Sequence, residues 1–144
     1  MRVTGSDPVS IDRRNPEQLH ATPGYHHVTI ADAGKWIFLA GQCPLTATGD
    51  LVGSDDLGAQ VDQIAENTLA ALAAAGAEPD DVVRTVIYVV SDSQSVLAGV
   101  WRRFTASVIA PAFTTASTLL GVTQLGFPGQ RVELDVTAIS GAVR

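Results

Sequence analysis

The sequence predicts an α+β domain: a mixed β-sheet with two helices packed on one of its faces. Three observations carry that expectation. Residues 57–75 place apolar side chains at steps of three and four, residues 82–90 are an almost unbroken β-branched run, and residues 131–138 alternate strictly between apolar and polar. A chain of 144 residues is one domain by size, long enough to bury roughly two thirds of its unfolded surface.

Residues 1–22 are polar and punctuated by Asn15-Pro16-Glu17 and Thr22-Pro23-Gly24, both turn signals. They are expected to form a partly mobile N-terminal arm, followed by a single domain over 23–144. Tyr25 to Ile30 and Lys35 to Ala40 are β-branched or aromatic and are separated by Ala31-Asp32-Ala33-Gly34, which predicts a hairpin-like connection and an opening meander. Pro44 and Thr48-Gly49-Asp50 mark a loop before a short Leu51-Val52 element. Leu57, Val61, Ile64, Thr68, Leu72 and Ala75 then form one helical stripe, and Gly76 is placed to end it in a left-handed cap. The Ala-rich end of that helix has short side chains, which permits close approach to a sheet.

Val82 to Val90 reads as the central strand, buried on both faces. A second helix is expected from Asp92 or Ser93 to Ser107. Val96, Leu97, Val100, Trp101 and Phe104 form its buried stripe, with Ser91, Asp92 or Ser93 as N-cap. Pro111 breaks the chain, Ala116 to Val122 is another strand, and Gly126-Phe127-Pro128-Gly129 is a turn. In the last strand Val132, Leu134, Val136 and Ala138 share one face, while Arg131, Glu133, Asp135 and Thr137 share the other. Two helices cover only one side of such a sheet, so the opposite side needs a partner.

Composition narrows the function. Apolar runs such as Val86 to Val90 and Leu69 to Ala75 are far short of the roughly 20 residues a membrane span requires, so no membrane partner is expected. The first residues lack an apolar core and a small-residue cleavage site, and a cytoplasmic location is expected. A net charge of −6, with cations scattered in pairs such as Arg13-Arg14 and Arg102-Arg103, argues against a nucleic-acid partner. Cys43 is the single cysteine, which excludes an internal disulfide and a cysteine-cluster metal site. It reads as a small buried hydrophobe, since no histidine or cation beside it would favour the thiolate. His26 and His27 are adjacent on a predicted strand and point to opposite faces, so no metal is expected. No Gly-rich phosphate loop appears, and no cofactor is indicated.

Across residues 14 to 140 the ordered pieces Asn15-Pro-Glu-Gln-Leu19, Pro23-Gly-Tyr25, Gly41-Gln-Cys-Pro44, Gly49-Asp-Leu-Val52, Glu66-Asn67, Ala75-Gly-Ala77, Asp80-Asp-Val-Val-Arg84 and Val132-Glu-Leu-Asp-Val-Thr-Ala138 resemble the Rid family, also called YjgF/YER057c/UK114. Its members are small trimeric proteins that include imine and enamine deaminases. The resemblance implies a chorismate-mutase-like fold and a homotrimer that binds a small molecule in clefts between subunits.

It also implies roles. Glu133 matches the acidic residue thought to position the attacking water, with a solvated or trimer-interface carboxylate bonded to a neighbouring backbone or to Arg131 as its structural alternative. Tyr25 matches an aromatic residue of the cleft, or packs at a subunit boundary. In deaminating relatives an arginine within a Pro-Ala-Arg-Ser/Thr-like motif holds the substrate carboxylate. The matching segment is Thr115-Ala-Ser-Thr118, so Ser117 stands at the arginine position and the chain is of an arginine-lacking type. That replacement removes a charge-assisted pair worth about 2–5 kcal/mol when buried. Ser117 and Thr118 remain as substrate-binding candidates, and Arg131, on Glu133's face by the period of two, is a candidate substitute cation. Ala40 replaces a frequent serine, and Ala98 or Gly99 falls where the second helix often carries asparagine.

The implied activity is hydrolysis of reactive 2-imino or enamino acids to 2-oxo acids and ammonia. The alternative is a non-deaminating protein that binds or transforms another small metabolite. An endoribonuclease is the distant third, disfavoured by charge.

Overall fold

A computed structural model describes residues 10–141; residues 1–9 of the expected arm and the last three residues of the domain lie outside them. Its described elements run β1 (Ile11–Arg14), β2 (Val28–Ala31), β3 (Lys35–Phe38), α1 (Leu57–Ala74), β4 (Val82–Val90), α2 (Gln94–Thr105), β5 (Ala116–Val122) and β6 (Val132–Ser140). Short 3-10 turns cover Pro79–Asp81 and Ala110–Phe113. The main sheet has the order β3-β6-β4-β5, with β4 and β5 parallel and the other pairs antiparallel. This is the mixed sheet that the sequence predicts, with both helices on one face.

The helices end where their chemistry dictates. Asp56 caps α1 by accepting from the Ala59 amide at 3.0 Å, and Ser93 caps α2 through the Val96 amide. Gly76 takes φ +75°. Its amide donates to Ala73 and the Ala77 amide to Leu72, the paired bonds of a Schellman cap. Arg103 of α2 grips Asp62 of α1 through two hydrogen bonds, of 2.9 and 2.6 Å. The hydrogen bonds from this guanidinium hold the Asp62 carboxyl below its ordinary range.

The strict alternation of β6 becomes burial. Val132, Leu134, Val136 and Ala138 pack under the helices against Ile64, Leu72, Ile87, Val89 and Phe104, all of them buried. Phe104 sits against Phe113 with ring centroids 5.1 Å apart, and Trp101 meets Phe113 edge-on at 5.8 Å. Val96 and Leu97 of the predicted stripe are only partly buried and pack at the core's margin.

The opposite sheet face is bare. Register places Tyr88 beside Glu133 and Val86 beside Asp135, and these side chains are half-buried at most. β4 is therefore interior to the sheet, yet it is not covered on both faces within one chain. Its inner-face residues Val82, Thr85, Ile87 and Val89 are sealed, while the alternate residues are not. On the edge strand β3, Trp36 (57% exposed) and Phe38 (74% exposed) stack with their rings 6.1 Å apart.

The hairpin expected between the second and third strands does not form. β2 pairs antiparallel with β1, whereas β3 pairs with β6. Asp32 donates its amide to the Ser10 carbonyl, so the chain is still following β1 when it should have turned back. Propensity marked the strands, but partner choice was made by segments distant in sequence. Ile11–Arg14 lies within the stretch read as an arm, where no strand was predicted. The ribbon of β1 and β2 is tied to the sheet by Arg13, whose Nη2 donates to the carbonyls of Asp80 and Val82 at 3.0 Å each. Thr29 adds a second tie, its hydroxyl accepting from the Ala116 amide at 3.0 Å.

The expected strand from Tyr25 is shorter than predicted. Tyr25 to His27 form a loop that borrows partners from elsewhere, with the His27 amide on Asn15 Oδ1 and the Tyr25 carbonyl on the Thr22 hydroxyl.

Candidate functional site

Two cavities hold the candidate residues. The first opens on the bare face and is lined by Gly41, Tyr88, Leu125, Glu133 and Asp135. Glu133 stands at the start of β6, and its Oε1 accepts from Gln130 Nε2 at 3.1 Å and from the Cys43 thiol at 3.5 Å. Gln130 is itself fixed, since it also donates to the Val132 carbonyl and accepts from the Phe127 amide. Within one chain neither Arg131 nor backbone takes the carboxylate.

Glu133 Oε2 has no hydrogen-bond donor among the described residues. It lies against Gly41, where an added Cβ would stand 2.1 Å from it. Glycine is thus required by space and not by backbone angle, because Gly41 is not among the positive-φ residues. The arrangement presents one carboxylate oxygen, already oriented through its twin, to a small solvent-accessible hollow. A carboxylate so held can orient a water and accept its proton.

Cys43 is half-buried beside this group. Burial and then the Glu133 charge push its thiol above the ordinary value. The thiol therefore acts as a donor to Glu133 and not as a nucleophile. Alkylation by iodoacetamide is expected to reach its half-maximal rate at a pH above that of an ordinary thiol. Glu133→Gln should move that midpoint down without restoring it fully, because burial remains. A midpoint at the ordinary thiol value in the unmodified protein would contradict this account.

The second cavity, of about 520 Å³, lies between α2, β5 and the loop before β2. Tyr25, Ser117 and Thr118 all line it, together with Pro23, Ala98, Trp101, Arg102 and Leu119. The structure therefore brings three of the five candidate residues together and keeps Glu133 apart from them within one chain. Arg131 lines neither cavity; its amide is held by Gln60 Oε1 at 2.8 Å and its carbonyl by the Val90 amide.

Ser117 is already engaged. It donates to the Thr115 carbonyl at 3.1 Å and accepts from the Thr85 hydroxyl at 2.7 Å, so its proton is committed within the sheet. Thr118 accepts from Arg84 Nη2 at 3.0 Å and keeps its own proton uncommitted. Tyr25 OH pairs with His20 Nε2 at 3.2 Å, and Trp101 donates Nε1 to the Pro23 carbonyl at 3.2 Å.

Sequence reasoning missed Gln130, Tyr88 and Arg102 at these cavities. Gly41 stood in a quoted motif without a role, and Cys43, read as a small buried hydrophobe, is half-buried and donates to Glu133. Period-two registry could have offered Tyr88, but only once the partner of β6 was known. His26 and His27 bond to the carbonyls of Thr114 and His20 respectively, and no group of three His, Cys, Asp or Glu among the described residues is arranged to hold a metal. No helix among them is long and apolar enough to cross a membrane.

A four-stranded sheet with two helices on one face, a bare second face and a glycine-cradled glutamate upon it defines the class of two-layer α+β proteins with the Rid fold. The sequence profile of the family described as Endoribonuclease L-PSP matches residues 16–140. The solved structure of YyfB from Yersinia pestis, a Rid-family protein of unknown function, superposes with a TM-score of 0.82 at 34% identity, covering 90% of this chain and 98% of that one. RidA from the Antarctic bacterium Psychrobacter gives 0.63 at 25% identity over 83% and 91% of the two chains. Protein DfrA of Myxococcus xanthus is 36% identical over 119 residues, 81% of this chain and 85% of that protein. The chain belongs to the Rid (YjgF/YER057c/UK114) family.

Proposed function

We propose that the protein is a homotrimer that hydrolyses small 2-imino or enamino acids to 2-oxo acids and ammonia in clefts between subunits. The observation that carries this reading is Glu133 Oε2, fixed by Gln130 and Cys43 through the other oxygen and open to a hollow beside Gly41. Water held there adds to the imine carbon and gives its proton to Glu133. Glu133 returns that proton to the imine nitrogen, giving a carbinolamine; the carbinolamine hydroxyl proton then passes to the amine, the C–N bond breaks, and ammonia leaves as the carbonyl forms. Assembly through the bare face would bring this hollow next to the Tyr25–Thr118 cavity of a neighbouring subunit. The half-buried Val86 and Tyr88 and the exposed Leu120 on that face support such packing.

The committed proton of Ser117 favours a second reading, in which the cleft binds or transforms a different small metabolite without deamination. RNA cleavage receives no support from a chain of net charge −6, despite the family's description.

The test uses the purified protein with an amino-acid oxidase that forms imines in situ. Ammonia and 2-oxo acid should appear faster than in buffer, from a particle three times the 15.0 kDa chain mass by light scattering. A lack of acceleration with several different imines, or a monomer, would exclude the proposal.

A further inference from the structure

The cavity beside α2 has an uneven polar inventory. Its Tyr25 hydroxyl faces His20, its Trp101 N–H is taken by Pro23, and its Ser117 proton is taken by Thr115. One cation remains uncommitted among the described residues that line it, the guanidinium of Arg102. The Thr118 hydroxyl does not join it: Thr118 stands in register with Val86 and accepts from Arg84 on the bare face. Arg102 is exposed and its guanidinium makes no ion pair or hydrogen bond among the described residues, whereas that of Arg103 beside it is locked on Asp62. Its Nη2 turns back one helical turn and lies 3.8 Å from where a Cβ on Gly99 would stand. Ala98 and Gly99 keep the helix surface low, which leaves room for a guanidinium at the mouth.

Among the described residues Arg102 is the only charged one lining this cavity, and the remaining apolar wall is made of Pro23, Ala98, the Trp101 ring and Leu119. A planar guanidinium fork matches a carboxylate in two places. A single cation suits a monoanion and falls short of a phosphate dianion. We infer that Arg102 anchors the carboxylate of a small ligand with an apolar, flat or branched body, supplying from helix α2 the cation that the strand position Ser117 lacks. The inference rests on the cleft reading above and deepens it by naming the residue that selects the substrate class.

The experiment is calorimetric or NMR titration of the full chain with benzoate and with benzamide, which share a body and differ in charge. Benzoate should bind at least about tenfold more tightly than benzamide, as one charge-assisted pair implies. Arg102→Gln should reduce benzoate to the benzamide level, while Arg103→Gln leaves it unchanged. Equal binding of the two probes, no benzoate binding, or benzoate binding indifferent to Arg102→Gln overturns the assignment. With carboxylated imines, Arg102→Gln should raise KM and spare kcat. If no imine is hydrolysed but benzoate still depends on Arg102, the deaminase reading fails and the anchor stands. If imines turn over with KM untouched by Arg102→Gln, the anchor fails alone.

Discussion

Glu133→Gln is expected to lower imine hydrolysis by roughly 10²–10⁴-fold, the usual contribution of a positioned general base. The amide has the shape of the carboxylate and can still accept from Gln130 and Cys43 through its carbonyl oxygen. It cannot take a proton from water. The thermal midpoint should therefore hold while kcat collapses, measured as ammonia release under saturating imine. Gly41→Ala provides a control of a different kind, because it keeps the carboxylate and removes its place. The added Cβ would lie 2.1 Å from Oε2 and 2.9 Å from Cδ, so the group must swing out of the hollow. A comparable loss of turnover is expected, with circular dichroism unchanged. Retention of more than about a third of wild-type turnover by Glu133→Gln would falsify the catalytic role, since that leaves far less than the effect of a general base.

Phe104→Ala should produce the largest loss of stability. The ring is fully buried, rests on Phe113, and comes from the helix that also carries Trp101 and Arg102. Deleting a core phenylalanine side chain costs about 3–5 kcal/mol, the transfer energy of the ring plus the cavity left behind. For a chain of this size that corresponds to a fall in Tm on the order of 10 °C. Because association raises apparent stability, the comparison belongs at one fixed protein concentration. A fall of only a degree or two would mean that α2 repacks into the space and that the core is less specified than its burial implies. Arg103→Gln removes only a half-exposed ion pair and should scarcely move the midpoint.

What the sequence made legible is what repeats locally. The i, i+3, i+4 stripes of α1 and α2, the left-handed Gly76 and the alternation of β6 each depend on neighbours within a few residues; each stands where it was expected except at the stripes' margins, where Ala75 is exposed at the cap and Leu57, Val96 and Leu97 are only partly buried. β1 was not legible because Ile11-Asp12-Arg13-Arg14 has no apolar alternation; it is a strand through pairing with β2 and through Arg13's reach to Asp80 and Val82. The separation of β2 from β3 was hidden for a similar reason, since the competing partner of β3 lies some hundred residues further along the chain.

The site divides in the same way. Glu133 could be placed on the polar face of its strand by period alone. Its orientation by Cys43 joins positions ninety residues apart, and no spacing rule foretells that contact. Arg131 was the natural substitute cation on the same rule, yet it borders neither cavity. Arg102 read as half of a surface pair, and only the path of β5 beside α2 sets it next to Thr118.

The two tryptophans end up in opposite media. Trp101 is walled in by Tyr25 and Phe113, while Trp36 lies on the bare face with Phe38 stacked against it. One indole thus emits from an environment set by a single chain's own interior, the other from whatever solvent or neighbour meets β3. In the proposed trimer, separation of subunits and melting of the chain would change different fluorophores, and each could be followed by its own colour.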